Sequence, residues 1–258
     1  MLSLKESTDI CKKNGFSSFI TEQNANPKLA KSIGYYNAGF SLAPAKLSGY
    51  NVCAGSTPKC RIGCLGNFGR TEFLPKILQS RINRTRFLFK NQKLFFDVVE
   101  PQLMAVQRKA ERLKLPVAFR CDILSDLQWH KIQPRIFESF PNWKFYGYTK
   151  IRSKIDSFLS GKNPVYQLYS FNEKTKLDYV KSLLKLGVNV AIPFYCKTTL
   201  KPTIPSSWQG LPVINGDLTD LRFKDKSGYI VGLKCKLPKS RIKAVKALKA
   251  SKGFFQAV

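Results

Sequence analysis

Three cysteines lie close together in a stretch rich in glycine and small residues. Cys53, Cys60 and Cys64 fall within twelve residues, and the glycines and proline between them let the backbone curl around one centre. Thiolate sulfur is a soft ligand that favours iron–sulfur clusters, zinc or copper. The spacing therefore predicts a metal centre held by these three side chains.

Three local ligands leave the identity of the metal open. A four-iron cluster held by three cysteines keeps one iron free for a non-protein ligand, and that iron would be a chemical site. A structural zinc ion requires a fourth protein ligand instead. The candidates for that ligand are Cys121, Cys196, Cys235 and the single histidine, His130. A third alternative is that the thiols are buried and bind no metal.

Polar side chains follow two of the apolar segments that have the length and composition of buried strands. They are Asp122, Ser125 and Asp126 after the segment at 117–121, and Ser170 and Asn172 after the segment at 165–169. Ligands of open α/β sheets bind at the carboxyl ends of the strands, so these residues are predicted to bind a cofactor. The alternative is that they cap the helices that follow, because Ser, Asp and Asn satisfy free backbone N–H groups there.

A second polar group combines acids with an arginine. Asp217, Asp220, Arg222 and Asp225 lie within nine residues of a chain that has only 16 acidic residues. This concentration indicates either a functional site or a local network of ion pairs around Arg222. Both interpretations stay open.

The elements that must position these groups alternate regularly from residue 117 onward. Short apolar runs typical of buried strands lie at 117–121, 144–148, 165–169, 188–195, 211–214 and 229–235. Helical segments at 134–140, 151–159 and 174–186 separate the first four of these runs. This order is typical of βα units around a parallel sheet. We therefore predict an α/β fold, a partial, TIM-barrel-like (β/α) barrel with about six strands.

The first part of the chain is less regular. Residues 1–36 are predicted to be a peripheral N-terminal segment, and a short strand is expected around residues 40–42 in a long loop region. Cover helices are predicted at about 75–90 and 93–113. Residues 37–258 are then a single partial-barrel domain, with a cysteine cluster loop at 51–70 and a basic C-terminal helix.

The charge balance points to a polyanionic partner. The 258 residues contain 44 Lys and Arg against 16 Asp and Glu, a net charge of +28. Such an excess repels itself unless a polyanion neutralises it, and nucleic acid is the predicted partner. The candidate contacts in the C-terminal helix are Lys239, Arg241, Lys243, Lys246 and Lys249. The alternative is a solvated surface helix in a chain of biased composition.

Composition also limits the class and location of the protein. Hydrophobic residues make up 43% of the chain, which excludes a mainly disordered or fibrous protein. The odd number of seven cysteines favours a reducing interior over a disulfide scaffold. No signal peptide or membrane span is recognised in the sequence, so the predicted location is the cytoplasm of the host cell, with no membrane partner.

Several segments resemble the phage gene product 88 family. The run FSLAP at 40–44 is followed by CAGSTPKC at 53–60 and by Cys64, and members of that family place a triple-cysteine loop directly after such a strand. Further similar segments are RIN at 81–83, GDLTDLR at 216–222, DKSGYIVGLK at 225–234 and GFF at 253–255. The resemblance covers about residues 37–258.

More distantly, the chain resembles the radical S-adenosylmethionine enzymes, which also pair an N-terminal triple-cysteine loop with a partial (β/α) barrel. This resemblance implies a 4Fe-4S cluster and S-adenosylmethionine as cofactors. Gly228, Ile230 and Gly232 are similar to a Gly-x-Ile-x-Gly stretch that approaches adenine in those enzymes. The resemblance therefore adds Gly228 and Gly232 to the predicted cofactor-binding residues.

Together these observations predict a phage-encoded iron–sulfur protein, similar to radical S-adenosylmethionine enzymes, that modifies or acts on nucleic acid. Whether it catalyses a reaction is left open. The alternative is a non-catalytic, basic nucleic-acid-binding protein whose cysteines hold structural zinc. A third possibility is a phage protein that binds and blocks a host factor, with a barrel that has no activity.

Overall fold

The computed structural model describes residues 2–26, 29–64, 74–238 and 240–258. Its strands, in chain order, are β1 (Ile20–Glu22), β2 (Tyr36–Phe40), β3 (Val117–Arg120), β4 (Lys144–Thr149), β5 (Tyr166–Ser170), β6 (Val190–Tyr195), β7 (Ser207–Trp208), β8 (Leu211–Asn215), β9 (Ile230–Lys234) and β10 (Gln256–Ala257). Its helices are α1 (Leu4–Lys13), α2 (Pro58–Ile62), α3 (Pro75–Lys90), α4 (Gln92–Arg112), α5 (Trp129–Ile132), α6 (Arg135–Ser139), α7 (Arg152–Leu159), α8 (Leu177–Lys185) and α9 (Arg241–Ala250).

One sheet contains all of these strands, in the order β1-β2-β3-β4-β5-β6-β9-β8-β7, with β10 beside the end of β6. Strands β2 to β6, β9 and β8 run parallel, and among the described strands the pairs β1–β2 and β7–β8 are antiparallel. The carboxyl ends of the parallel strands therefore meet at one edge. Strands β1 and β7 end the order and do not pair with each other in the described ranges, so the sheet is open.

The predicted α/β class is confirmed, but the predicted strand count of about six is wrong, since the sheet has ten strands in the part of the chain that the structure describes. Strands β1, β7 and β10 have only two or three residues each. Segments this short show no alternation of apolar and polar residues, which explains why the sequence pattern missed them. The helices α1, α2 and α5 were also outside the predicted elements.

Side chains alternate between the two faces of the sheet. Phe119 and Phe145 pack with Phe96 and Val99 of α4 in the largest apolar cluster. Ile192 of β6 packs on the same side with Val180 of α8 in a second cluster. Helices α4 and α8 thus cover one face, and the strand positions between these residues face the other way.

The N-terminal segment contributes to the first cluster. Ser7 of α1 donates a hydrogen bond to the carbonyl of Val98 at 2.6 Å. Cys11, Phe16 and Phe19 are each at most 5% exposed and lie in the same cluster as the sheet residues. Residues of the 1–36 segment, which was predicted to be peripheral, therefore form part of the core.

The opposite face of the sheet is filled at its amino end by the connection between β8 and β9. Leu221 and Phe223 pack there against Ala118 and Tyr146. This connection leaves the carboxyl end of the same face open for a cavity.

Across the described ranges, no helix is both long and apolar enough to cross a bilayer.

The second polar group lies in this connection. Both carboxylate oxygens of Asp220 accept hydrogen bonds from Arg120 at 3.0 Å. Arg222 is fully buried and lies 3.1 Å from Asp225, and Asp217 accepts a bond from the backbone N–H of Lys234. Of the two interpretations, the ion-pair network is the one that these contacts match.

Candidate functional site

A cavity of about 190 Å³ lies at the carboxyl end of the parallel strands. Five strands contribute wall residues, among them Arg120, Tyr148, Ser170, Ala191 and Leu233. The cysteine loop and the C-terminal residues Phe254 and Phe255 complete the wall. The cavity therefore occupies the position at which α/β sheets bind their ligands.

The three predicted metal ligands, Cys53, Cys60 and Cys64, all line this cavity. They are half-buried, and none forms a disulfide. The Cys53 thiol donates a weak hydrogen bond to the carbonyl of Leu124 at 3.4 Å. The spacing of the cysteines thus predicted residues that share one cavity.

Local contacts hold the loop in place. The backbone N–H of Asp126 donates to the carbonyl of Val52 at 2.7 Å, directly before Cys53. Thr57 caps helix α2, because its hydroxyl oxygen accepts from the N–H of Cys60 at 3.0 Å. The same hydroxyl donates to a carboxylate oxygen of Glu173 at 2.8 Å. The loop is therefore tied both to the residues after β3 and to the residues after β5.

Two glycines allow the loop to approach its neighbours closely. A Cβ atom on Gly55 would lie 2.8 Å from Cβ of Lys150, and one on Gly63 would lie 2.7 Å from the ring of Phe254. Such separations are too short for carbon atoms. Glycine at these positions lets the loop contact the end of β4 and the C-terminal segment directly.

The thiols share the cavity, but among the described residues they do not form a ready site for a single metal ion. In the described part of the chain, no group of three or more His, Cys, Asp or Glu side chains is close enough to hold a single metal ion. Burial raises the pKa of Cys53 to about 12, so this thiol is protonated in the metal-free protein. Metal binding at Cys53 would therefore displace a proton.

Cys235 is a fourth thiol on the wall of the same cavity. It is buried, it packs with Phe254 and Phe255, and burial raises its pKa to about 12. The other candidates for a fourth zinc ligand, Cys121, Cys196 and His130, are not wall residues. Of the four candidates for a fourth zinc ligand, Cys235 is thus the one that lines the cavity.

Asp122 and Asp126, which follow β3, line the cavity, but their carboxylates already form contacts with buried groups of the chain. The Lys154 ammonium lies 3.1 Å from a carboxylate oxygen of Asp122 and 2.9 Å from one of Asp126. Asp122 also accepts from the hydroxyl of Ser125 at 2.7 Å and from the indole N–H of Trp129 at 3.0 Å. These contacts give Asp122, Ser125 and Asp126 a structural role at the cavity wall, and their predicted binding of a cofactor stays a prediction.

Ser170 and Asn172, the two predicted residues after β5, lie in different places. Ser170 lines the cavity and accepts a hydrogen bond from the Lys150 ammonium at 2.6 Å. Asn172 is buried away from the cavity wall, and its side chain accepts from the backbone N–H of Lys174 at 2.9 Å. Asn172 therefore makes a local turn contact, and not the helix cap that was the alternative to ligand binding, because the N-cap of α8 is Lys176.

The structure does not bring Gly228 and Gly232 to the cavity. Gly228 has a φ of +77° and lies in the turn before β9, at the opposite end of the strand from the cavity. Gly232 faces Ile204 and Val213, where a Cβ atom would lie within 2.7 Å of both side chains. Tight packing and a left-handed turn account for these glycines.

The basic helix α9 lies beside the cavity. It contacts α2, and Leu248 packs against the cluster of Cys235, Phe254 and Phe255. Lys243, Lys246 and Lys249 are exposed. Lys239 and the side chain of Arg241 lie outside the described part of the chain.

Sequence reasoning missed several cations of the cavity wall. Lys150 directly follows β4, and Lys234 and Lys236 lie at the end of β9. Their positions at strand ends are the signal that could have identified them, because the rule that selected Asp122 and Ser170 applies equally to lysines.

The protein-family model described as Gene product 88 matches residues 16–254. The match begins before residue 37, where the resemblance seen in the sequence begins. No curated protein and no solved structure matches the chain. These comparisons do not support the more distant resemblance to radical S-adenosylmethionine enzymes.

Proposed function

The chain belongs to the Gene product 88 family, and on that premise we propose that this phage protein is an iron–sulfur protein that acts on nucleic acid. One observation carries the proposal. Cys53, Cys60 and Cys64, which come from one loop, line a single cavity at the carboxyl edge of the sheet. That edge is where α/β proteins bind ligands and perform chemistry.

The placement of the thiols supports a cluster rather than a single ion. A zinc ion holds its sulfur ligands about 2.3 Å from one point, and no such convergence is present among the described side chains. In a four-iron cluster, each cysteine binds a different iron, so the ligands surround a volume. Three thiols around a cavity of about 190 Å³ fit this second arrangement.

A cluster with one open iron would supply one-electron reduction of S-adenosylmethionine, if that is the second ligand of the cavity. The chain itself would provide the walls. Phe254 and Phe255 close the cavity beside Gly63 and would exclude water. Ser170 and Lys150 present a hydroxyl and an ammonium group to the ligand.

A structural zinc site is the second candidate, and Cys235 favours it. This buried thiol lies on the same cavity wall as the loop cysteines, and with them it would make up the four sulfur ligands of a structural zinc ion. In that case the cavity has no open metal position, and the protein is a nucleic-acid-binding module without metal chemistry.

Anaerobic reconstitution with iron and sulfide tests the metal assignment. We expect about four irons per chain and broad visible absorption, both lost in Cys53→Ser, Cys60→Ser and Cys64→Ser. Cys196→Ser is the matched control, because Cys196 lies outside the cavity wall, and it should retain the iron.

The variant Cys235→Ser separates the two candidates. If three cysteines hold the cluster, Cys235→Ser retains iron, whereas a four-thiolate zinc site loses its metal in this variant. Protein that binds zinc but no iron would support the second candidate. Wild-type protein that binds neither metal would overturn both.

The nucleic-acid part of the proposal rests on charge. The chain carries +28, and the exposed lysines of α9 lie next to the loop that holds the cysteines. Phosphate contacts by lysine release counterions, so binding should weaken steeply as salt rises.

Changing Lys243, Lys246 and Lys249 together to Gln tests this surface. For a single-stranded oligonucleotide, we expect the slope of log affinity against log salt to fall by about two, near 0.7 per lost contact. The matched control changes three exposed lysines of the outer helices and the turn after them, Lys90, Lys93 and Lys114. An equal effect of both sets would show that net charge, rather than α9, determines binding.

A further inference from the structure

Lys150 lines the cavity and is half-buried, and among the described residues no carboxylate forms an ion pair with it. We propose that Lys150 and Ser170 form a subsite that binds one phosphate group of a nucleic acid. The proposal rests on the nucleic-acid part of the proposed function and goes beyond it, because it places the substrate in the cavity and names the group that is held there.

The other charged side chains deep in the wall have partners. Arg120 donates to both carboxylate oxygens of Asp220 at 3.0 Å. Asp122 and Asp126 share the buried ammonium of Lys154. The Arg120–Asp220 pair is neutral, and the group of Asp122, Asp126 and Lys154 keeps one net negative charge, so neither attracts an incoming anion.

Lys150 differs from these residues. Within the described ranges no carboxylate lies within ion-pair distance of its ammonium group. The ammonium donates one hydrogen bond, to the Ser170 hydroxyl at 2.6 Å, and lies 5.8 Å from the centre of the Phe254 ring. An ammonium group has three hydrogens, so Lys150 can donate further bonds to a ligand.

The subsite is positioned before any ligand binds. The backbone N–H of Lys150 donates to a carboxylate oxygen of Asp126 at 2.8 Å, and Gly55 of the cysteine loop packs directly on its Cβ. Ser170 accepts the bond from Lys150, and no described acceptor takes its own hydroxyl hydrogen. An oxyanion can therefore receive one bond from each side chain.

The surroundings favour phosphate over a lone carboxylate. Lys234 and Lys236 are exposed on the wall of the same cavity, and α9 continues the positive surface beyond them. A polyanion on this surface would be led from the outer lysines toward Lys150. A cavity of about 190 Å³ is far too small for a double helix, so the phosphate must belong to a strand end or an unstacked nucleotide.

Fluorescence anisotropy with a labelled single-stranded oligonucleotide tests the subsite in the full-length protein. We expect Lys150→Gln to weaken binding several-fold and to reduce the salt slope by about 0.7, while Lys150→Arg retains most of the affinity. A nucleoside monophosphate should compete with the oligonucleotide on wild-type protein and should compete less well on Lys150→Gln. Lys144→Gln is the matched control, because this exposed lysine lies at the other end of the same strand.

The outcomes separate this inference from the proposed function. Wild-type protein that binds no oligonucleotide would overturn the nucleic-acid proposal and the subsite together. If wild-type protein binds but Lys150→Gln behaves like Lys144→Gln, only the subsite is overturned. If Lys150→Gln loses binding of S-adenosylmethionine and retains that of the oligonucleotide, the subsite holds a carboxylate, and the phosphate assignment is wrong.

Discussion

The ammonium group of Lys154 lies 2.9 Å from a carboxylate oxygen of Asp126, and both side chains are buried. Lys154 comes from helix α7, whereas Asp126 follows β3, so the contact joins two βα units at the edge that carries the cavity. Asp122 binds the same ammonium group. Asp122 and Asp126, which the sequence predicted to bind a cofactor, thus already form ion pairs with Lys154.

Replacing Lys154 with Met should destabilise the protein by about 3–5 kcal/mol, because two buried carboxylates lose their counter-charge. Urea unfolding monitored by circular dichroism measures the change. Lys162→Met is the control, since Lys162 is exposed, and it should change stability by less than about 0.5 kcal/mol. Similar losses in the two variants would show that the buried ion pairs contribute nothing specific.

Replacing Gly63 with Ala should loosen the cavity wall. The added Cβ would lie 2.7 Å from the ring of Phe254 and 2.9 Å from that of Phe255, so the C-terminal segment must move, at a cost of about 1–3 kcal/mol. Thermal unfolding and iron retention after reconstitution should both decrease. Gly147→Ala is the control, because its Cβ would have no neighbour closer than 3.7 Å; the idea fails if Gly147→Ala is the more damaging change.

Among Cys53, Cys196 and Cys235, Cys196 should have the lowest thiol pKa. Hydrogen bonds from Thr198 and Thr199 lower its pKa to about 6, whereas burial raises the pKa of Cys53 and Cys235 to about 12. Because the thiolate is the reactive form, iodoacetamide at pH 7 should label Cys196 well before Cys53 and Cys235 in metal-free protein. The labelling rate should rise with pH around a midpoint near 6.

Peptide mass spectrometry over a series of pH values measures this order. Thr198→Ala should move the midpoint upward, toward the ordinary range of a thiol, because it removes the hydrogen bond that stabilises the thiolate. Earlier labelling of Cys53 would contradict the burial that the structure gives this residue.

Asp225 should make stability depend on pH. Burial raises its pKa from an ordinary 3.8 to about 6, with a smaller contribution from Asp220, while Arg222 opposes the shift. Between these two pKa values the folded protein binds more protons than the unfolded chain, so this group's contribution to stability is lost as pH rises from about 4 to 6. Asp225→Asn cannot titrate and should lack this loss.

The measurement is the free energy of unfolding of wild type and Asp225→Asn from pH 4 to 7. The free energy of unfolding of Asp225→Asn minus that of wild type should increase as pH rises, whatever its value at pH 4. A difference that moves the other way would show that Arg222 dominates, and that Asp225 is stabilised as a carboxylate.

Much of the architecture followed from local patterns. The runs around β3 to β6 and β9 are apolar and short, and the helices α3 and α4 repeat apolar residues every three or four positions. Such periodicities act between neighbours in the chain, so they can be recognised without knowledge of the fold. Segments of two or three residues, such as β7 and β10, become strands only because a longer strand lies beside them.

The candidate site likewise has a part that the local sequence predicted and a part that only the tertiary structure determined. Residue type and spacing alone singled out Cys53, Cys60 and Cys64, because soft ligands close together in a glycine-rich loop are a local property. Only the tertiary structure decided that Cys235 and Lys150 share their cavity and that Lys154 occupies Asp122 and Asp126. These relationships join residues far apart in the chain, and they depend on the order of the strands and on which face each side chain takes, which no local pattern contains.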